Sequence, residues 1–329
     1  MRPFTYHRAV DLDDAVRAVA GTGAVALGGG TNLVDLMRRD VEHPDTLVDL
    51  SGLALTPVRE QPDGGLRIGA SVRNSALAAH SLVRTRYPVL AQALLSGASG
   101  QLRTMATVGG NLLQRTRCPY FSDTSAPCNK REPGSGCGAL EGLHRDAAVL
   151  GTSEHCIATH PSDMAVALIA LDAVVEVRSV RRTRYVPLTE LHRLPGETPQ
   201  HDTTLEADEL IVAVDLPAPV TTCSAYRKVR DRASFAFALV SVAAGLEVRD
   251  GTVAAARLAL GGVAHKPWRA VEVERVLTGA PATEETFRGA AEAELAAAVG
   301  RPDNAFKIEL ARRTIVAALA GLLTERGTR

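Results

Sequence analysis

Residues Ala24 to Met37 read AVALGGGTNLVDLM, and the order of residue types in that stretch decides the fold. Ala24 to Leu27 is a short apolar run with the length of a buried strand. Gly28, Gly29, Gly30, Thr31 and Asn32 turn the chain, and an apolar-periodic helix follows from Leu33 to about Met37. Outward from this stretch, Asp11 predicts the N-cap of a helix through Leu12, Val16 and Val19, which Gly21 and Gly23 end. Thr46 to Leu50 predicts the next strand. Such alternation predicts a small α/β unit whose glycine loop lies at the C-terminal end of a strand, where ligands sit.

Three glycines between a strand and a helix allow the main chain to approach a pyrophosphate closely with free N–H donors, and Thr31 and Asn32 add side-chain donors. A tight turn with no ligand is the competing reading. The loop is not a Walker loop, because no Lys-Ser or Lys-Thr follows the glycines. The run Gly21-Thr-Gly23-Ala-Val-Ala26 precedes its strand, so it lacks dinucleotide-fingerprint geometry. A second glycine turn, Thr107-Val108-Gly109-Gly110-Asn111, lies further along the chain. Two turns of glycine with Thr and Asn point to a cofactor held between subdomains.

The rest of the chain supplies a frame for these turns. Leu66 to Ala70 predicts a strand, with helices near Val72 to His80 and Val89 to Leu95. Gln114 to about Thr159 is long, irregular and poor in apolar anchors, as functional or disordered loops are. Ser162 predicts the cap of a helix through Val166 and Ile169, and strands follow at Val174 to Val177 and Arg184 to Pro187. Pro217 to Pro219 marks a boundary. Beyond it come strands at Ala236 to Val248 and Thr252 to Leu260, then helical segments near Trp268 to Leu277, Glu284 to Val299 and Phe306 to Leu323. Ala290 to Val299 reads as surface helix.

Composition limits the function. With 329 residues, 46% hydrophobic and 22% charged, the chain is an ordinary globular protein of two or three units. Lys plus Arg and Asp plus Glu both number 37, so no basic field exists to hold nucleic acid or an anionic membrane. The longest apolar runs, Ala165 to Val177 and Phe235 to Val248, are interrupted by Asp172 and Glu247, which predicts no direct membrane insertion. The N-terminal MRPFTYHRAVDLDDAV has no apolar h-region, so no secretory signal of its own is expected. A cytoplasmic protein follows, in a compartment where thiols stay reduced.

Four of the five cysteines fall in the irregular stretch. Cys118, Cys128, Cys137 and Cys156 are separated by nine, eight and eighteen residues. Four thiolates suit a tetrahedral zinc ion or a [4Fe-4S] cluster, and the spacing matches neither the knuckles of zinc sites nor the ferredoxin run, so it does not choose between them. Two disulfides or four unconnected thiols are the alternatives. His144, His155 and His160 flank the loop and read as solvent-facing or structural. Cys223, which opens an expected strand, reads as a small core residue.

Four motifs together carry a resemblance: LGGGTNLVDLM (Leu27 to Met37), TVGGNLL (Thr107 to Leu113), HPSDMA (His160 to Ala165) and SAYRKVR (Ser224 to Arg230). In this order the chain resembles, over nearly its whole length, the FAD-binding medium subunit of the xanthine dehydrogenase and carbon monoxide dehydrogenase family of molybdenum hydroxylases. In most of that family the Gly-Gly-Asn turn runs almost directly into the Ser-Asp segment, whereas here some 45 residues intervene. The insertion resembles that of bacterial periplasmic aldehyde oxidoreductases, whose medium subunit holds a [4Fe-4S] cluster beside the FAD.

The resemblance implies an α+β chain. Two α/β subdomains, 1–55 and 56–217, would enclose FAD in a vanillyl-alcohol-oxidase-like fold with an iron–sulfur insertion at 114–159, followed by a C-terminal α+β domain, 218–329. It implies pyrophosphate binding by Ala26, Leu27, Gly28, Gly29, Gly30, Thr31, Asn32 and Leu33, and a second turn of Thr107, Gly110 and Asn111. Asp163 is expected on the adenosine side and Lys228 facing the flavin, with Ile211 also in the cofactor site; Cys118, Cys128, Cys137 and Cys156 would ligate the [4Fe-4S] cluster. The implied function is electron transfer within an aldehyde-oxidising molybdenum hydroxylase, a heterotrimer or a dimer of heterotrimers. Molybdopterin would sit in a large partner subunit and [2Fe-2S] in a small one. Export of the folded complex on a partner's signal would make the chain periplasmic. A stand-alone vanillyl-alcohol-oxidase-like flavoenzyme and a zinc-stabilised interaction protein are the rival readings.

Overall fold

The computed structural model describes residues 1–55 and 57–326. Strands β1 (Thr5–Arg8), β2 (Ala24–Leu27) and β3 (Thr46–Asp49) form a parallel sheet in the order β1-β3-β2. The helix Leu12–Val19 crosses between β1 and β2. Asp11 caps it by accepting from the Asp14 N–H at 2.7 Å, and Ala15, Val16 and Val19 are buried on one face. Apolar residues spaced for one helical face thus cover the sheet and leave the β2 exit free for the glycine loop.

A second sheet is antiparallel. β4 (Val58–Glu60), β5 (Leu66–Gly69), β6 (Val174–Arg178), β7 (Thr183–Pro187) and β8 (Leu210–Leu216) lie in the order β4-β5-β8-β6-β7. Its face is covered by helices Pro88–Ser96 and Asp163–Ala170, every residue of the latter being buried. Ser162 caps that helix by accepting from the Ala165 N–H.

The C-terminal sheet follows with β9 (Cys223–Val229), β10 (Val240–Arg249), β11 (Thr252–Gly261) and β12 (Trp268–Arg269), in the order β12-β11-β10-β9. Val240, Val242, Ala244 and Leu246 face helices Val271–Leu277, Glu284–Leu295 and Phe306–Arg326, while Ala243 and Ala259 join the core around Asp163–Ala170. The sheet is buried on both faces, which is why β10 carries apolar or small residues on both faces from Val240 to Leu246 rather than alternating with solvent-facing polar ones.

Three expectations are corrected. The strand expected from Ala236 begins at Val240, because residues 230–238 form a loop in which Phe235 takes a left-handed φ of 53°. Trp268 and Arg269 pair with Leu260 and Ala259 as an edge strand, and the helix starts only at Val271. The alanine-rich segment is not a surface helix throughout: Ala290, Ala291, Glu294 and Leu295 are buried, and Glu294 accepts from the Trp268 indole at 2.7 Å. Alanine faces too little solvent or core to reveal by type which side of a helix is covered.

The cysteine-bearing stretch is also better anchored than its composition suggests. It contains short helices Pro119–Ser122 and Gly138–Glu141 and a small apolar cluster of Ala139, Ala147 and Ile157. Lys130, buried, donates to the Pro199 carbonyl at 2.7 Å and pairs with Asp202. From the last helix, Lys307 donates to the Ala147 and Gly262 carbonyls, and just before it Asn304 donates to those of Ala147 and Ala148. Among the described residues, no helix is long and apolar enough to cross a membrane.

Candidate functional site: a cofactor cleft and a thiol cluster

The two glycine turns meet. A Cβ on Gly28 would lie 2.7 Å from Thr107 Oγ1, and one on Gly29 would lie 2.0 Å from the Met105 carbonyl oxygen. Glycine is required where two backbones come this close, and Gly30 has a left-handed φ of 72°. Thr107 caps the short helix Val108–Leu112 by accepting from the Gly110 N–H. The second turn is therefore the start of a helical turn that the sequence did not reveal.

Thr31, Asn32, Gly110, Asn111, Asp163 and Lys228 line one cavity of about 330 Å³. Asn32 Oδ1 accepts from the Arg115 N–H at 2.8 Å, while its buried Nδ2 has no partner. An orphaned buried donor costs about 1–3 kcal/mol unless a ligand pairs with it, so the cleft fits a polar cofactor. Asn111 Oδ1 accepts from the Ser162 hydroxyl at 2.5 Å, tying the second turn to the cap of Asp163–Ala170. Gly28 and Thr107 line an adjacent cavity of about 200 Å³ with Leu50, Ser51 and Arg73. Ala26 and Leu27 end β2, Gly29 and Gly30 turn between the two cavities, and Leu33 opens the next helix. Ile211 lies apart from these lining residues, 4% exposed in the core of the five-stranded sheet.

Asp163 and Lys228 were expected at different parts of the ligand. Within the cleft they form a buried ion pair, Lys228 Nζ to Asp163 Oδ2 at 2.8 Å, with side chains 4% and 7% exposed. A lysine buried on β9 needs a counter-ion close by, which the first turn of the facing helix supplies. The Ser96 carbonyl accepts a second Lys228 hydrogen bond, and Tyr226 donates to Asp163 Oδ1 at 2.6 Å. Burial, and then the Asp163 carboxylate, push the Tyr226 phenol well above its ordinary range, so it stays a donor. Tyr226 escaped the sequence reading, although its place two residues before Lys228 puts both side chains on one face of β9.

All five cysteines are free thiols, so the disulfide alternative is not realised. Cys118, Cys128, Cys137 and Cys156 line one small space with Tyr120 and Lys130, and an isolated antiparallel bridge pairs Cys128 with Cys137. Among the described residues, no three His, Cys, Asp or Glu side chains form a ready-made metal site. Burial raises the Cys118 thiol and pushes Cys156 up to about 12, the nearby Lys130 opposing the latter. Such thiols ionise only when a cationic centre binds them. Cys223 opens β9 and packs against the C-terminal core.

His144 and His160 are structural, and His155 is exposed. His144 bonds to the Gly142 carbonyl and accepts from the Asp303 N–H. His160 stacks edge-on against His192 with ring centroids 4.5 Å apart, and His265 Nε2 lies 3.9 Å from Asp202. These contacts join residues up to 159 positions apart, and no local pattern announces them.

Fold and cleft together define a flavin-binding subunit. Residues 2–219 match the family described as FAD binding domain in molybdopterin dehydrogenase, and residues 224–321 match the CO dehydrogenase flavoprotein C-terminal domain. The chain belongs to the FAD-binding medium subunits of the molybdenum hydroxylase family, oxidoreductase subunits of the aldehyde, xanthine and CO dehydrogenase type. It is 54% identical over 323 residues to the aldehyde oxidoreductase FAD-binding subunit PaoB of Escherichia coli K12, covering 97% of this chain and 98% of that one. It is 28% identical to the xanthine dehydrogenase FAD-binding subunit of E. coli O157:H7, covering 88% and 85%. The fold matches that of carbon monoxide dehydrogenase from Hydrogenophaga pseudoflava with a TM-score of 0.77 at 24% identity, covering 98% and 99%. The expected fold class and family both hold.

Proposed function

We propose that this chain is the FAD- and [4Fe-4S]-bearing electron-transfer subunit of an aldehyde-oxidising molybdenum hydroxylase, working with a large molybdopterin-binding subunit and a small [2Fe-2S] subunit. The observation that carries the reading is the convergence of Cys118, Cys128, Cys137 and Cys156 on one space within a flavin-binding chain. Four thiols from one loop match the donor set of a four-iron cluster. The 54% identity to an aldehyde oxidoreductase subunit supports an aldehyde as the substrate of the assembly. Two of the relatives are medium chains of dehydrogenases, which supports the partner subunits.

Bound FAD supplies the redox chemistry, and the chain supplies geometry and charge. The Gly28–Gly30 turn brings main-chain N–H groups to a phosphate, and Asn32 Nδ2 offers a donor that nothing in the protein uses. Lys228 lines the cleft with its Nζ against Asp163. Asp163 holds it there and is itself fixed by Tyr226. Hydroxylation of the aldehyde belongs to the large subunit.

The test is the cofactor content of anaerobically purified protein. Iron and flavin are expected together, and Cys137→Ser should remove most of the iron while keeping the flavin. Zinc in place of iron, or iron unchanged in Cys137→Ser, would refute the cluster assignment.

A further inference from the structure

Asn32 stands at the N-cap of the helix Leu33–Arg38, where an asparagine side chain ordinarily accepts from N–H groups of the first helical turn, yet it makes no such bond. Its Oδ1 accepts instead from the Arg115 N–H at 2.8 Å, and Nδ2 is left without a partner. Arg115 lies at the start of the cysteine-bearing stretch, so the orientation of a donor in the cofactor cleft is set from the insertion.

Two routes of contact run from Arg115 to the thiol space. In the first, the guanidinium pairs with Glu42 and, Nε to Oδ2 at 2.7 Å, with Asp202; Asp202 pairs through Oδ1 with Lys130 Nζ at 2.5 Å. Lys130 lines the thiol space, and its side chain is 1% exposed. In the second, the guanidinium lies over the Phe121 ring, 4.9 Å from its centroid. Phe121 packs with Cys118, Cys128, Val41 and Leu36, and Leu36 belongs to the helix that Asn32 opens. One route is ionic and the other apolar, and both join the thiols to the Asn32 turn. A guanidinium gripped by two carboxylates and a ring keeps one orientation only while those partners keep theirs. Bonds from a metal centre to Cys118 and Cys128 would fix Phe121 and the segment that carries Lys130, so that FAD meets an Asn32 whose orientation is already set.

We propose that metal loading of the four thiols and FAD binding are positively coupled, and that Arg115 is the positioning residue through which the coupling runs. The inference rests on the reading above that the four thiols hold a metal centre, whichever metal that is. Linkage makes the effect reciprocal: a filled thiol site tightens FAD, and bound FAD raises the affinity for the metal by the same factor. The magnitude is that of one hydrogen bond made well or badly at Asn32, roughly a 3- to 10-fold change in affinity.

The test is a double-mutant cycle on the assembled complex, with the FAD Kd as readout and metal per complex measured alongside. Cys137→Ser empties the site without altering a residue of either route, because Cys137 packs around Ala139 and Ile157 rather than Phe121. This variant should still fill with flavin in excess FAD, but its FAD Kd, followed by the fluorescence of FAD released on dilution, should rise roughly 3- to 10-fold. Arg115→Met keeps the backbone N–H and cuts both routes. It should weaken FAD to a similar degree, and adding Cys137→Ser to it should then change the Kd by less than about twofold. Arg115→Lys, which cannot grip both carboxylates, should keep part of the coupling. Should Arg115→Met fail to assemble, Glu42→Gln, which removes one of the two carboxylates, decides the matter in the same cycle. Loss of metal with the FAD Kd unchanged overturns the coupling, and undiminished coupling in the Arg115→Met or Glu42→Gln background overturns the role of Arg115. Metal content that Cys137→Ser does not lower would instead overturn the metal reading itself.

Discussion

Replacing Gly29 with alanine tests the contact on which the cofactor cleft depends. The added Cβ would lie 2.0 Å from the Met105 carbonyl oxygen, 2.6 Å from its carbon and 3.0 Å from Ala106 Cα. Carbon and oxygen in contact settle near about 3.3 Å, so one of the two backbones must retreat by more than about 1 Å. Neither side yields easily, because the Ala106 carbonyl accepts from the Asn74 N–H at 2.9 Å and the Met105 carbonyl accepts from Arg73. Overpacking of this kind costs about 1–3 kcal/mol, which lowers the melting temperature of a chain of this size by roughly 1.5–4 °C. The glycine loop also moves relative to a bound phosphate, and losing one charge-assisted hydrogen bond weakens FAD binding roughly 10- to 100-fold. Gly100→Ala is the matched control. Its Cβ meets nothing within 4 Å, and it opens the helix Gly100–Met105, where alanine should be neutral to slightly stabilising. The measurements are thermal melts of the FAD-free proteins and fluorescence titration with FAD. If Gly29→Ala binds FAD within about threefold of the parent and melts within about 1 °C of it, the close approach of the two turns is not a constraint and the reasoning fails.

Two further outcomes follow from the buried charges. Lys228→Met strips Asp163 of its cation in a site where both side chains are almost fully covered, and should cost about 3–5 kcal/mol in urea unfolding; pairing it with Asp163→Leu should recover much of that loss, and simple additivity of the two would show that they do not act as a pair. Acid sensitivity should come from the buried histidines: burial, with the neighbouring Lys130 cation, brings His265 down to about 4, and burial lowers His160 and His192 as well. A histidine with a depressed folded pKa contributes its full stability above the unfolded value near 6.5 and loses it as pH falls toward about 4, so His265 alone should cost about 2 kcal/mol between pH 7.5 and pH 5. Denaturant midpoints measured across that range for the parent and for His265→Gln check this, and equal pH slopes would refute it.

Local order was legible in the sequence where one residue dictates one geometry. Asp11 and Ser162 cap the helices they were expected to cap, and the glycines mark where backbone meets backbone. The middle of the five-stranded sheet was not legible. β8 inserts between β5 and β6 from more than thirty positions after β6, and only tertiary pairing defines it. The site was legible by residue type but not by partnership. Lys228 and Asp163 were both recognisable as cofactor-facing, yet nothing local says that they neutralise each other across 65 positions.

The way the insertion is fastened bears on its portability. Lys130 holds it to the segment after β7, Lys307 of the last helix and Asn304 just before that helix hold it from the C-terminal side, and Arg145 ties it to the loop after β9. Cutting the segment out would therefore strip the buried Lys307 ammonium of its Ala147 partner and leave Pro199 and Asp202 without Lys130, in different parts of the molecule. A graft into a relative without the insertion would have to carry Asp202, Asn304 and Lys307 with it. The thiols alone can be replaced one by one, but their housing is part of the frame, and shortening the loop should damage the C-terminal domain as well.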